Sequence, residues 1–242
     1  MANEILFVFE GARTEEKIVQ SMQRVFMEAN TVVTCVFGAE IYQLYDKIEA
    51  DEDLDTFNLI KERNLRQNEF LKDYNREDFA EIYLFFDYDG HASKASDEKL
   101  KKLLDLFDEE TDKGKLFVSY PMVEALRHIV DNEAFRDLLV PCKENINYKR
   151  LVGDESANRF KKLNQYSAEI WHELVHAHLR KANFIVYDEY ELPNSLIFQN
   201  SIFLNQLEKF ISQSGTVAVL SAFPMFLHDY FGNENLLERI ES

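Results

Sequence analysis

Apolar residues along the chain fall into short unbroken runs and into spaced sets, and the two patterns predict different elements. Residues 5–9, Ile-Leu-Phe-Val-Phe, form a continuous apolar run closed by Glu10-Gly11, as expected of a strand buried on both faces. Thr14 is placed to cap a following helix, with Glu15 and Glu16 in the first turn, where the helix dipole favours acids. Ile18, Met22, Val25 and Phe26 recur at helical spacing, and a second apolar run covers 31–37. Strand, helix and strand in so short a stretch make a βαβ unit. The acidic, amphipathic stretch 40–75, with Leu44, Ile48, Leu59, Ile60 and Leu65, predicts two inserted helices. Residues 82–86 form another buried strand, stopped by Asp87-Tyr88-Asp89-Gly90. A helix is predicted over 97–109 and a short strand over 116–118. Pro121 then suits the first turn of a helix running through Glu124 and His128.

Past residue 140 the alternation gives way to helical patterns over 155–181, 195–213 and 222–231, with a short apolar piece at 183–187. Residues 217–220 read as a strand or as part of the last helix. The expected fold is therefore α/β. A mainly parallel sheet flanked by helices occupies 1–135, with a helical insertion at 40–75, and a mostly helical lobe follows over 136–242.

Composition narrows the function. Hydrophobic residues at 46% are enough for a sizeable core in 242 residues. With 27 Lys and Arg against 44 Asp and Glu, the net charge of −17 argues against coating nucleic acid by bulk attraction. An enzyme that meets a polynucleotide locally, through divalent cations and a few basic side chains, stays open, as does an acidic protein docking on a basic partner. Two cysteines, Cys35 in an apolar run and Cys142, suit buried free thiols in a reducing compartment. No signal peptide and no membrane-spanning run are legible, so a cytoplasmic protein is expected.

Glu10 closes the first buried strand, and Asp87 with Asp89 close another. In a parallel sheet the carboxyl ends of neighbouring strands border the crevice where ligands bind. On an extended segment residues i and i+2 point the same way, so Asp87 and Asp89 would share one cation. Converging carboxylates repel, and a hard, oxygen-seeking ion such as Mg²⁺ relieves that repulsion. Gly11 and Gly90 would leave room for a phosphate to approach. The plainer reading is that Asp and Gly are turn formers after strands.

Val8-Phe9-Glu10-Gly11-Ala12-Arg13-Thr14-Glu15 resembles the opening of TOPRIM domains, a hydrophobic strand followed by E-G and then T-E, in the form found in OLD-type and RloB-like nucleases. Phe85-Phe86-Asp87-Tyr88-Asp89 resembles their D-x-D strand end, and Ser119-Tyr120-Pro121-Met122-Val123-Glu124 is similar to a later S-x-P-x-x-E segment. The resemblance spans about residues 4–130. It implies a TOPRIM/Rossmann-like core and a Mg²⁺-dependent hydrolase of phosphodiester bonds in DNA or RNA, often in phage defence. Glu10 would be the characteristic acid, on metal or as general base, Glu15 a supporting acid, Asp87 and Asp89 the metal-holding pair, and Glu124 a further acid. The 40–75 insertion lies outside the minimal core, and no tyrosine takes a topoisomerase-like role. No ATPase module is present, so the analogy would make an ATPase a separate partner chain.

Charge developing at phosphorus calls for a cationic helper. Arg13 lies nearest to Glu10 in sequence, and His91, just past Asp89, would shuttle protons. Each also reads simply as a solvent-facing side chain.

A rival motif is His172-Glu173-Leu174-Val175-His176, an H-E-x-x-H sequence. On a helix His172 and His176 share one face and would ligate Zn²⁺, with Glu173 as the base of a metallopeptidase. Against it, Ala182 stands six residues past His176, where a third ligand is usual. The C-terminal aromatics, Phe198 to Phe231, suit core packing or a homo-oligomer interface. The basic stretch Lys143, Lys149, Arg150, Arg159, Lys161 and Lys162 suits a nucleic-acid strip or a solvated face. Three readings remain: a nuclease, a zinc peptidase, and a non-catalytic interaction protein.

Overall fold

The first apolar run forms β1 (Glu4–Phe9), in which Leu6, Phe7 and Val8 are all fully excluded from solvent. Burial of consecutive side chains means that both faces of the strand are covered. The computed structural model describes residues 4–11, 13–27, 31–50, 55–63 and 65–241, so Ala12 of the E-G-A-R-T-E segment lies outside them. Helix α1 (Arg13–Phe26) buries Ile18, Val19, Met22 and Phe26, and Thr14 sits within it rather than at its cap. Strand β2 (Val32–Val36) follows, running parallel to β1.

The insertion contains α2 (Ile41–Ala50), α3 (Thr56–Glu62) and, beyond the two expected helices, a 3₁₀ segment at Arg66–Asp73. Asp55 caps α3 by accepting from the Asn58 N–H at 2.7 Å. Within the 3₁₀ segment the Asn68 carboxamide accepts from the Val36 N–H at 2.9 Å and donates to the Val36 carbonyl at 2.6 Å, covering the carboxyl end of β2.

Strand β3 (Phe79–Asp87) lies parallel to β1 on its other side, with Phe9 opposite Phe85. Between them Phe7 and Phe85 pack with ring centroids 5.1 Å apart, and Phe9 and Phe85 at 5.3 Å. Such pairs contribute about 0.5–1.5 kcal/mol each beyond their area burial. Helix α4 (Asp97–Leu106) stops short of the expected residue 109, because Asp108 and Glu109 form β4, an edge strand antiparallel to β5 (Gly114–Ser119). The sheet order is β2-β1-β3-β5-β4, so the expected α/β class is what the structure shows.

The chain divides into two compact units, residues 1–86 with 94–116, and residues 87–93 with 117–242. The boundary expected near residue 135 falls inside the second. In that unit the Tyr120–Pro121 peptide is cis, and Pro121 precedes a 3₁₀ turn at Val123–Arg127 instead of opening an α-helix. Helix α5 (Asn132–Asp137) leads into β6 (Leu139–Pro141), which pairs antiparallel with β7 (Thr216–Ala218). Gln206 bonds both the N–H and the carbonyl of Ala218, at 2.9 and 2.7 Å.

Helix α6 (Tyr148–Glu155) precedes α7 (Ala168–Tyr187), which Ser167 caps. The apolar piece at 183–187 is the last turn of α7, not an element of its own. Helix α8 (Gln199–Gln206) continues through a π-helical turn at Leu207–Ile211 into α9 (Ser212–Ser214), and α10 (Ala222–Phe231) and α11 (Asn233–Glu241) end the chain. Phe203, Phe223 and Phe226 are buried, as the core reading of the C-terminal aromatics requires, whereas Phe198 is exposed. Among the described residues no helix is long and apolar enough to cross a membrane.

Candidate acidic site

In the first unit, Glu10 follows β1 directly, and its N–H donates to the Phe85 carbonyl at 3.3 Å. Glu15 is buried on α1, and a Cβ added at Gly11 would meet its carboxylate oxygen at 3.2 Å. The space beside Gly11 is therefore occupied by Glu15 rather than open to a ligand. Arg13 is exposed at the start of α1.

In the second unit, Asp87 is buried. Asp89 adopts φ 42°, in the left-handed region, so the chain is no longer extended there and the expected i, i+2 alignment with Asp87 fails. The turn is fixed by backbone bonds: the Tyr88 N–H donates to Ser119 at 3.0 Å, and the Asp89 N–H to Pro121 at 3.2 Å. His91 Nδ1 lies 2.9 Å from Asp89 Oδ1, yet that buried oxygen accepts no hydrogen bond of normal geometry. The proximity is therefore better described as a charge contact than as a bond. Burial holds the Asp89 carboxyl above its ordinary value, against the opposing pull of the His91 charge.

Gly90 has a different reason from the expected one. An added Cβ would lie 2.5 Å from the ring of Tyr88 and 2.8 Å from the Cys142 carbonyl. Tyr88 is fully buried, and its hydroxyl accepts from Lys143 Nζ at 2.8 Å, so the ring has no room to yield. Gly90→Ala should cost roughly 1–3 kcal/mol by overpacking, read as a lower denaturation midpoint. Unchanged stability with a weaker ligand affinity would instead restore the idea that the glycine serves a ligand.

Glu124, on the 3₁₀ turn after Pro121, is buried, with Lys149 Nζ 3.6 Å away at the surface. Around it stands a group that no sequence spacing announces. The Tyr148 hydroxyl is 3.0 Å from His128 Nδ1, and His128 Nε2 is 2.9 Å from Glu155 Oε2. Burial pushes the Tyr148 phenol well up, and the negative charges of Glu124 and Asp87 push it further. Burial likewise holds the His128 imidazole below its ordinary value despite its bond to Glu155. The only available sequence signal was the coincidence of a buried-looking His and Tyr near acids, and contacts across 20 and 27 residues cannot be read from spacing.

The rival motif does lie on a helix, α7, with His172 and His176 half-buried. Glu173 is engaged by Arg159, whose Nε donates to it at 2.9 Å. Of the basic stretch, Lys143 is held by Tyr88, Lys149 by Glu124, Arg150 by Asp154 at 3.8 Å, and Arg159 by Glu173. A solvated, internally paired face describes these four better than a nucleic-acid strip. Cys35 and Cys142 are both buried and outside any disulfide, and the Cys142 thiol donates to the Gly215 carbonyl at 3.2 Å.

Among the described residues no three His, Cys, Asp or Glu side chains gather closely enough to hold a metal ion. That disfavours zinc, which takes three or four protein ligands. Comparison with known protein families, with curated proteins and with solved structures returns no match.

Proposed function

We propose that the protein is a Mg²⁺-dependent hydrolase of phosphodiester bonds in DNA or RNA, built on a TOPRIM-like arrangement of strand-end acids. The observation that carries this reading is a pair of buried carboxylates, Asp87 and Glu124, whose charges both bear on the phenol of Tyr148. Two buried negative charges near one point, with Lys149 and Arg127 as the nearby cations, favour the arrival of a divalent ion. Asp87 and Glu124, with waters and substrate phosphate, would hold an ion that would supply charge stabilisation at phosphorus and activate water. By resemblance to the family alone, Glu10 at the end of β1 is the candidate general base, with Glu15 on α1 as its supporting acid. A role in phage defence and a separate ATPase partner belong to the same proposal.

The test is a titration of the full chain with Mg²⁺ and Mn²⁺ by calorimetry, followed by hydrolysis assays on DNA and RNA. Asp87→Asn should abolish ion binding. Loss of several kcal/mol of charge stabilisation lowers hydrolysis about a hundredfold to a thousandfold. Glu10→Gln should retain ion binding and lose turnover. Wild-type protein that binds neither ion sinks the reading.

A further inference from the structure

We propose that Glu155, His128 and Tyr148 form a proton relay ending at a water-sized cavity, with Glu155 as the orienting acid, His128 as the base and Tyr148 as the group that meets the reacting water. Its part in turnover rests on the hydrolytic reading above; the relay itself does not.

The geometry has the logic of an oriented base. Tyr148 and Glu155 are the first and last residues of α6, and His128 reaches both ends of that helix from the 3₁₀ turn. Glu155 is half exposed and accepts the Nε2–H, whereas His128 is completely buried. This bond fixes the tautomer, leaving the Nδ1 lone pair to accept the Tyr148 O–H. The other charges facing His128 are Arg127 on its own turn and Lys181 on α7; both oppose a resting imidazolium, so the ring waits as a neutral base.

At its far end, Tyr148 lines a cavity of about 20 Å³ together with His91, Pro121, Met122 and Asn145. That volume admits about one water molecule. A structural tyrosine–histidine bond would not need a carboxyl group behind it, nor a water-sized space beside the phenol.

The step balances. A water O–H breaks as its proton joins Tyr148 Oη, while the Tyr148 O–H breaks and its proton forms the N–H at His128 Nδ1. The hydroxide forms the new bond to phosphorus. When the ester oxygen leaves with its electron pair, it takes the Tyr148 proton, and Tyr148 recovers its own from Nδ1. Glu155 keeps the Nε2–H throughout and never protonates.

The experiment uses the full chain as wild type, Tyr148→Phe and Glu155→Gln, with ¹⁵N imidazole NMR beside the Mg²⁺-supported hydrolysis assay. Wild-type His128 should be neutral at pH 7 with its proton on Nε2, and Glu155→Gln should weaken that preference. Tyr148→Phe should keep the tautomer and the KM, lower hydrolysis at least about a hundredfold, and erase the acid limb that His128 gives the wild-type pH profile. A wild-type ring protonated on Nδ1 overturns the relay outright, because that nitrogen cannot then accept from Tyr148. Full activity and an unchanged pH profile in Tyr148→Phe also overturn it, leaving the metal reading standing. If wild type hydrolyses nothing, the hydrolytic reading falls, and the tautomer with its response to Glu155→Gln decides the relay alone.

Discussion

Acidification from pH 6.5 towards pH 3 should remove on the order of 5 kcal/mol of folding stability through His178 alone. This residue is completely buried on α7; its Nε2 lies 3.1 Å from the Leu126 carbonyl, and its Nδ1 accepts from the Ser221 N–H at 3.2 Å. Only the neutral Nε2–H tautomer satisfies both partners. Burial, first of all, pushes the folded-state value down to about 3. The unfolded chain, with the ordinary value near 6.5, therefore binds the proton first. The stability is whole above pH 6.5 and drains as the pH falls towards 3. A typical domain has about 5–15 kcal/mol in total, so one histidine commits a large share of it. Burial also lowers His128 and His228, which act in the same sense, while the raised Asp89 carboxyl opposes them. Urea midpoints at pH 7, 6 and 5 measure the slope. His178→Gln retains a donor and an acceptor but cannot charge, so it should be less stable at pH 7 and flatter with pH. An unchanged slope in that variant would assign the acid sensitivity elsewhere.

Lys181→Met should cost about 2–4 kcal/mol, with two opposing effects deciding the figure. Lys181 is fully buried on α7, and its Nζ donates to the carbonyls of Phe135 and Leu138, both at 2.7 Å. It also lies 4.4 Å from the ring centroid of Phe135. These carbonyls end α5 and begin the approach to β6, so the ammonium caps one element and anchors the next. Each hydrogen bond to a charged donor is worth about 1.5–3 kcal/mol. Burial depresses the ammonium well below its usual range, and removing it recovers that desolvation. The bonds outweigh the recovery because a methionine leaves two buried acceptors unmet. Equilibrium denaturation decides, and a variant as stable as wild type would mean that the buried cation was merely tolerated.

What the sequence disclosed follows from how local the cause was. β1 and β3 were legible because burial on both faces leaves an unbroken apolar run, as at Leu6-Phe7-Val8 and Leu84-Phe85-Phe86. β4 was not, because Asp108 and Glu109 are exposed edge residues whose pairing with β5 leaves no hydrophobic trace. β6 was hidden likewise, being three residues long and ending in proline. Pro121 suggested a helix start, but the chain there is held by backbone bonds from Asp89 and by Tyr120 bridging to Leu220. At the site, Asp87 and Asp89 could be found from the strand end. The turn that separates their directions could not, since Asp89's left-handed backbone is fixed by Pro121, far along the chain. Gly90 misled for a similar reason: what needs the empty space is Tyr88 and Cys142.

The Asn68 carboxamide on Val36 has a consequence for colloidal behaviour. It acts as a counterfeit peptide group, offering β2 the donor and acceptor that another polypeptide would otherwise bring. A neighbouring molecule trying to zip onto that flank must first evict a ligand already seated in register, giving up two bonds before making any. At high protein concentration the outermost rail of the sheet is thus closed to fibril-like growth at its carboxyl end, without a charged gatekeeper.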